Sequence, residues 1–332
     1  MRPLIAYLMC AIVAATIAYA FAPRDPQMPS DTQLRTDRLQ INDLLSLGKR
    51  QLAVGERGTI LLSDDQGLTW QEALVTPQRH VTLTGLVAVS SEQLLAVGHD
   101  GWILRSEDAG SSWQEVQFEA EQGEPLLGVW AADSNQVLAF GSFGKFYQSD
   151  DAGLTWRALP LEVDGAHLNS MDGGADGRRM LVGEQGLVLR TFDSGQHWQT
   201  LPSFYNGSLF GVVRLSAQHW VSYGMRGHVF VSDNFGDSWE AVEVGNRLPL
   251  YGHVLLPYNA GVLIVGASGS LVQLNGRGRL VDVRRQPGLG TLTSGIALGA
   301  HQILVAGERG VFQDSGVSVA ALSKREANDE AK

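Results

Sequence analysis

Leu52-Ala53-Val54-Gly55-Glu56-Arg57-Gly58 is an apolar triplet followed by Gly, two variable residues and Gly. Eight residues after its first glycine begins Ser63-x-Asp65-x-Gly67-x-Thr69-Trp70. The first element returns with Gly98, Gly141, Gly183, Gly224, Gly266 and Gly307 in the place of Gly55, so that the first glycines stand 43, 43, 42, 41, 42 and 41 residues apart. The second returns as Ser106-x-Asp108-x-Gly110-x-Ser112-Trp113, Ser149-x-Asp151-x-Gly153-x-Thr155-Trp156 and Thr191-x-Asp193-x-Gly195-x-His197-Trp198. A fifth copy, Ser232-x-Asn234-x-Gly236-x-Ser238-Trp239, has asparagine at the carboxylate position, and copies six and seven keep the glycine pair but lose this box. Seven copies at so constant a period mark a repeat architecture, which outranks any local assignment.

Within one repeat the sequence reads as four short strands: Thr82 to Val89, Leu94 to Val97, Trp102 to Arg105 and the stretch around Trp113 to Val116. These runs are rich in Val, Leu, Ile and Trp and are bounded by Gly, Asp and Ser. Helical repeats have similar periods but do not tolerate glycine and Ser-Asp boxes every dozen residues. A four-stranded unit of about 42 residues is the signature of a propeller blade, so the expected fold is an all-β, seven-bladed β-propeller. The G-x-x-G element reads as a tight hairpin needing φ > 0. A small residue thirteen positions before the hairpin glycine, Gly85, Gly128, Ser170 and Gly211, with Gly252 and Gly295 displaced by one, fits crowding of the innermost strands at the axis. Asn42 departs from that rule in the first blade.

Composition bounds the rest. The chain of 332 residues is 44% hydrophobic and 18% charged, which excludes a disordered chain and a polytopic membrane protein. A net charge of −10 argues against nucleic acid as a partner. The single cysteine, Cys10, lies in the N-terminal apolar segment, so the folded part is expected to have no disulfide and no thiolate chemistry. From Leu4 to Ala22 there is no charge. Residues 1–22 therefore read either as a cleaved signal peptide, with Ala18-Tyr19-Ala20 as the small-x-small site, or as an N-terminal membrane anchor, since the run is long enough to span a bilayer. Either reading places the rest outside the cytoplasm, periplasmic or lumenal, with membrane contact through residues 4–22 where the anchor is kept. Residues 23–33 read as a linker, 34–322 as the propeller and 323–332 as a polar tail. Either Val317 to Leu322 or Leu34 to Leu39 is expected to complete the outer edge of the last blade.

The box S-x-D-x-G-x-T-W resembles the Asp-box, or BNR repeat. With the V-G-x-x-G hairpin before each box, as at Val54-Gly55 and Val97-Gly98, the chain is most similar to the photosystem II stability/assembly factor-like family, over roughly residues 34 to 322. That resemblance implies one exported propeller without catalysis, acting as a protein-binding scaffold or assembly factor for a membrane protein complex; no cofactor is expected, and no metal, since the eight histidines are scattered and no clustered metal ligands appear. Sialidases carry the same box. Their chemistry needs three convergent arginines for a carboxylate, a Tyr–Glu nucleophile pair and an Asp acid, and the usual first-arginine motif, Arg-Ile-Pro before the first box, is missing: here that stretch reads Asp37-Arg38-Leu39-Gln40-Ile41-Asn42-Asp43. A glycoside hydrolase and a carbohydrate-binding propeller are the alternative classes.

Two sets of residues follow. Asp65, Asp108, Asp151, Asp193 and Asn234 are expected to brace their own turns. Trp70, Trp113, Trp156, Trp198 and Trp239 are expected to wedge between neighbouring blades. The G-x-x-G tips and the blade-to-blade loops are expected to share the opposite face, where propellers bind partners on loops held by a rigid scaffold. On that face the candidate partner-binding residues are Arg57, His99, Asp100, Phe143, Arg226 and Arg309 on the tips, with Tyr205, Arg247 and Tyr251 on the incoming loops. Arg and Tyr are favoured anchors for protein epitopes. The propeller itself is expected to be monomeric.

Overall fold

The computed structural model describes residues 35–314, apart from 120, 122, 133, 134 and 301, together with residues 7, 9, 12–14 and 16 of the N-terminal segment. Those six N-terminal positions are helical, and among the described residues no helix is long and apolar enough to cross a membrane. The signal or anchor reading of 1–22, the linker 23–33, the strand expected at Val317 to Leu322 and the tail 323–332 fall wholly or largely outside the described residues.

Residues from Thr36 onward form a unit of their own, a seven-bladed β-propeller. Each blade is an antiparallel sheet whose strands pair in chain order, as in Leu126–Ala131, Val137–Gly141, Phe146–Ser149 and Arg157–Ala158 of the third blade. The innermost strands are Ile41–Leu47, Leu83–Ala88, Leu126–Ala131, Leu168–Gly173, Leu209–Arg214, Leu250–Leu256 and Leu292–Ala297. Each touches the next, and the last touches the first, which closes the ring. The second blade gains a fifth strand, Leu74–Thr76, laid parallel against Ser112–Gln117. The seventh blade has three strands among the described residues. The described part of the Leu34 to Leu39 stretch, residues 35–39, does not complete it: Thr36–Arg38 is a 3₁₀ turn beside Gly310, and the chain then passes directly into the innermost strand of the first blade.

The core explains why the unit must repeat. Buried side chains form seven clusters, and each lies between two neighbouring blades. Leu52, Val54, Ile60 and Leu62 of the first blade, for example, pack on Leu83, Leu86, Leu94 and Trp102 of the second. A four-stranded sheet is apolar on both faces here and can bury them only against two other sheets. The box tryptophans sit in these seams: Trp113 is fully buried between the first and second blades, and Trp70, Trp156, Trp198 and Trp239 pack against the seams of the seventh and first, second and third, third and fourth, and fourth and fifth blades.

The glycine pair divides its work differently from the sequence reading. Only the second glycine needs φ > 0: Gly58 has φ +69, and the variable residue before it, Arg57, has φ +57. Gly55 is extended instead. A Cβ there would lie 2.1 Å from the carbonyl oxygen of Gln40, the residue that leads into the innermost strand. That carbonyl accepts the N–H of Glu56, and the same bond recurs in all seven blades, ending with Glu308 N–H to Thr291. In the seventh blade Gly307 pairs directly with Gly310 across a two-residue turn, so the tip at Glu308-Arg309 differs in shape from the other six.

The crowded position at the axis also requires correction. Every innermost strand carries a β-bulge after its first residue, and the residue following the bulge faces the strand-two residue just before the hairpin glycine. Those residues are Asp43, Gly85, Gly128, Ser170, Gly211, Gly252 and Ser294. The departing residue in the first blade is thus Asp43, not Asn42, and the seventh-blade member is Ser294, not Gly295. The first blade closes its inner hairpin with Leu47 opposite Arg50, a shorter turn than the others, which shifts the count by one. At Gly85 and Gly252 the blades meet closely, a Cβ standing 3.2 Å from the Gly128 Cα and 2.0 Å from the Thr293 carbonyl oxygen, whereas at Gly128 and Gly211 the space is filled by Phe140 and Tyr223 of the same blade.

Gly252→Val is expected to cost about 3 kcal/mol or more, because the obstruction is backbone of the next blade. Gly299→Ala, with nothing within 4 Å of the added Cβ, is expected to change stability little. Trp113→Ala is expected to cost about 3–5 kcal/mol. Urea unfolding of the three variants checks all three values, and a Gly252→Val midpoint equal to that of the parent would contradict the ring geometry.

Candidate protein-binding face

The box turns occupy one face and are closed systems. In the first, the Ser63 hydroxyl donates to Asp65 Oδ1 at 2.7 Å and accepts the Gly67 N–H at 2.8 Å. Asp65 in turn accepts the Thr69 N–H at 2.9 Å and the Thr69 hydroxyl at 2.6 Å, and Trp70 Nε1 donates to the Gly67 carbonyl. Asp108, Asp151 and Asp193 repeat the carboxylate bonds with Ser112, Thr155 and His197, and Trp113 and Trp156 repeat the indole bond, which Trp198 and Trp239 do not make. Asn234 keeps the carboxylate pattern by reversing one bond, its amide donating to the Ser238 hydroxyl at 2.8 Å. The carboxylates do not meet one another; both oxygens of each are held within its own turn. The bonds from Thr69 hold Asp65 down at about 2, those from Thr155 hold Asp151 at about 2, and those from His197 depress Asp193 further. Burial opposes the same effect at Asp108, where the Ser112 bonds still prevail.

The box turns also lock neighbouring blades. The carbonyl of the left-handed residue before the box glycine accepts a side chain from the preceding blade: Arg50 Nη1 to Ala109, Arg105 Nε to Ala152, Arg190 Nη1 to Phe235 and Gln313 Nε2 to Gln66. Nothing in the repeat pattern singled out these donors. Arg105, Arg190 and Gln313 share one place on the third strand, opposite Leu95, Met180 and Leu304, whereas Arg50 comes from the second strand, and only the ring brings them opposite the turns.

The opposite face carries the G-x-x-G turns and the incoming loops, joined by bonds such as Gly186 N–H to the Gly207 carbonyl and Gly101 N–H to the Glu124 carbonyl. Arg57, His99, Phe143, Arg226 and Arg309 are exposed on the turns, and Asp100 is half-buried, its carbonyl accepting the Glu119 N–H. Phe143 stands edge-on to His167 at 4.9 Å. Arg309 is tied to the Gly288 carbonyl. Tyr205 is half-buried, its hydroxyl donating to the Met225 carbonyl at 3.3 Å and its ring against His228. The structure brings Arg226 and Arg247 together along one groove of about 550 Å³ over the fifth blade, floored by Val242 and Val244, with Glu243 on the same groove. Arg57, His99, Asp100, Phe143 and Arg309 stand on other blades and do not join it.

The centre of the ring is a channel of about 860 Å³. At its mouth on this face the seven bulge residues form a ring that repeat reading missed: Asn42, Thr84, Leu127, Asn169, Phe210, Tyr251 and Thr293. Four of them donate to the carbonyl that opens the next innermost strand: Asn42 to Leu83 at 2.7 Å, Thr84 to Leu126 at 2.8 Å, Asn169 to Leu209 at 2.8 Å and Thr293 to Ile41 at 2.7 Å. Tyr251, which the sequence assigned to the face, stacks on Phe210 at 5.3 Å. Deeper in the channel wall, Asp43 accepts the Ser294 hydroxyl and the N–H groups of Leu44 and Leu86, joining the seventh, first and second blades. Asp172 accepts the N–H groups of Gly173 and Arg214, joining the fourth and fifth. Burial raises both carboxyls to about 6. Tyr223 lies 2.7 Å from His253 Nδ1 across the next seam, where burial lowers the imidazole to about 4 and raises the phenol.

Fold and turns together define a seven-bladed β-propeller with a central channel. In sequence, residues 32–179 match the family described as photosynthesis system II assembly factor YCF48. The resemblance to photosystem II assembly factor-like proteins is thereby borne out. No curated protein matches the chain. Among solved structures it is similar to a YCF48 bound to a D1 peptide, at 17% identity and a TM-score of 0.67, over 85% of this chain and 95% of that one. It is similar also to YCF48 from Cyanidioschyzon merolae, at 16% identity and 0.67 over 84% and 96%. The WD40 propeller domain of Doa1 matches at 15% identity and 0.65 over 83% and 92%, so the likeness at this level is one of fold.

The two kinds of carboxylate predict opposite pH limbs. Asp65 and Asp151, depressed from 3.8 to about 2, contribute stability above the unfolded value that is lost as pH falls from about 4 through 2. Asp43 and Asp172, raised from 3.8 to about 6, contribute most below the unfolded value, and that contribution is lost as pH rises from about 4 through 6. An Asp65→Asn/Asp151→Asn variant is expected to fold, because Asn234 serves the fifth turn, and to flatten only the lower limb. Thermal midpoints recorded against pH read both limbs; an unchanged lower limb in the variant would refute the assignment.

Proposed function

We propose that this protein is a non-catalytic, exported propeller that binds a membrane protein, or an assembly intermediate of one, through the G-x-x-G face. One observation carries this reading: Arg226 and Arg247, both exposed, flank a groove and make no hydrogen bond or ion pair among the described residues. Exposed arginines elsewhere on the face are not all so free, as Arg309 illustrates. Cations left unpaired beside an apolar floor suit an anionic protein segment, which would gain charge-assisted, two-pronged hydrogen bonds. The sequence match over residues 32–179 and the likeness in fold to a YCF48 bound to a D1 peptide support the same class of role. The box aspartates support the absence of catalysis, since each is consumed by its own turn. The uncharged stretch from Leu4 to Ala22 supports export, with the domain periplasmic or lumenal and either released or tethered.

A photo-crosslinking amino acid placed at Gln185, on the same face, tests this in intact membranes. An adduct to one or a few membrane proteins is expected, and Arg226→Gln/Arg247→Gln is expected to weaken it by about tenfold or more, corresponding to about 1.4 kcal/mol. Turnover of a glycan by the purified protein, or adducts unaffected by the arginine changes, would refute the reading.

A further inference from the structure

The ring at the channel mouth is not uniform. In the seventh, first, second and fourth blades the bulge residue is polar, and its donor is spent on the next blade. In the third, fifth and sixth blades it is Leu127, Phe210 and Tyr251. Phe210 and Tyr251 are stacked at an interplanar angle of 26°, and Tyr251 is 37% exposed. The mouth therefore offers an incoming side chain apolar and aromatic surface on one arc and few unspent donors on the other. Below it the wall holds Asp43, whose oxygens already accept bonds from Ser294, Leu44 and Leu86. An anionic side chain is disfavoured there by like charge, and a polar one gains little.

Outward from Phe210 and Tyr251, the Met225–Gly227 turn packs against the innermost strand of the sixth blade that bears Tyr251. Beyond that turn lies the groove of Arg226 and Arg247. With Glu243 on the same groove its net charge is two minus one, or +1, which matches a single carboxylate. Apolar mouth, turn and cationic groove thus lie in radial order over one pair of blades.

Resting on the reading that this face binds protein, we propose that the fifth and sixth blades form a radial peptide site. An extended partner segment sets one apolar or aromatic side chain into the channel mouth against Phe210 and Tyr251, and one carboxylate against Arg226 and Arg247. Extended chain advances about 3.3–3.6 Å per residue, so the two anchors are a few residues apart. The aromatic pair supplies the discrimination, because stacked rings in a rigid setting are strong contact anchors, and the arginines supply orientation.

The test uses a displayed library of random peptides about ten residues long, panned against the full chain. Enrichment of an apolar or aromatic residue spaced a few positions from Asp or Glu is expected. The most enriched peptide is then titrated by fluorescence anisotropy. Phe210→Ser/Tyr251→Ser and Arg226→Gln/Arg247→Gln are each expected to weaken it by about tenfold or more, and only the arginine pair to reduce its salt dependence. Leu68→Ser and Lys49→Gln, both exposed at the box-turn end of the first blade, are expected to leave binding unchanged, and circular dichroism checks that all variants stay folded. No enrichment, enrichment of basic peptides, or binding indifferent to either pair would overturn the proposal. If the membrane crosslinks at Gln185 persist in Phe210→Ser/Tyr251→Ser, the broader reading survives while the radial site falls.

Discussion

Seven strands converging on one axis bring backbone donors and acceptors together where no side chain has room. Two devices, repeated in every blade, meet that constraint. The hairpin glycine removes the Cβ that would strike the carbonyl leading into the innermost strand, and that carbonyl then accepts the next N–H along the hairpin. The bulge one residue further in turns a side chain toward the neighbouring blade, and four of those side chains cap the neighbour's opening carbonyl. An unpaired buried carbonyl is costly, which accounts for the hairpin bond recurring in every blade, while the bulge cap is made in four. Closure uses the same means. Residues about 250 positions apart meet when Thr293 donates to Ile41 and Ser294 bridges to Asp43 and Leu44.

The box turns do a different job on the other face. Each uses its carboxylate or amide to rigidify one turn, and four of these rigid turns offer a fixed carbonyl to an arginine or glutamine of the preceding blade. Carboxylates so committed are poor candidates for acid–base chemistry, which needs a proton that can leave. The division leaves the G-x-x-G face as the place where side chains are not already used, and Arg226 and Arg247 are the clearest instance.

Much of this was legible in the chain itself. The period of 41 to 43 residues and the paired motifs were sufficient for the seven blades, because each motif answers a local backbone need that recurs with every copy. The strand bounds Leu94 to Val97 and Trp102 to Arg105 fall within a residue of Leu94–Gly98 and Ile103–Ser106. The axis residue was displaced by one in the first blade, whose inner hairpin is shorter, and in the seventh, where the glycine beside Ser294 was preferred to the residue that the spacing gives, because register is set by hairpin length and bulge position and neither is a motif. Phe210 and Leu127 escaped notice because the bulge residue has no common residue type, only a common place. Arg57 and Arg309 read like Arg226 in their motifs, yet only Arg226 stands beside a second free arginine, since Arg247 comes from a loop that differs in every repeat.

What the sequence by itself determined was everything that one blade needs locally: strand, hairpin, braced turn and apolar faces, all enforced by residue type within about forty positions. Only the tertiary structure decided what depends on two blades at once. Which carboxylate is buried at the axis, which polar side chains cap a neighbour, and which arginines share a groove are set by the angle between sheets, and that angle is a property of the closed ring.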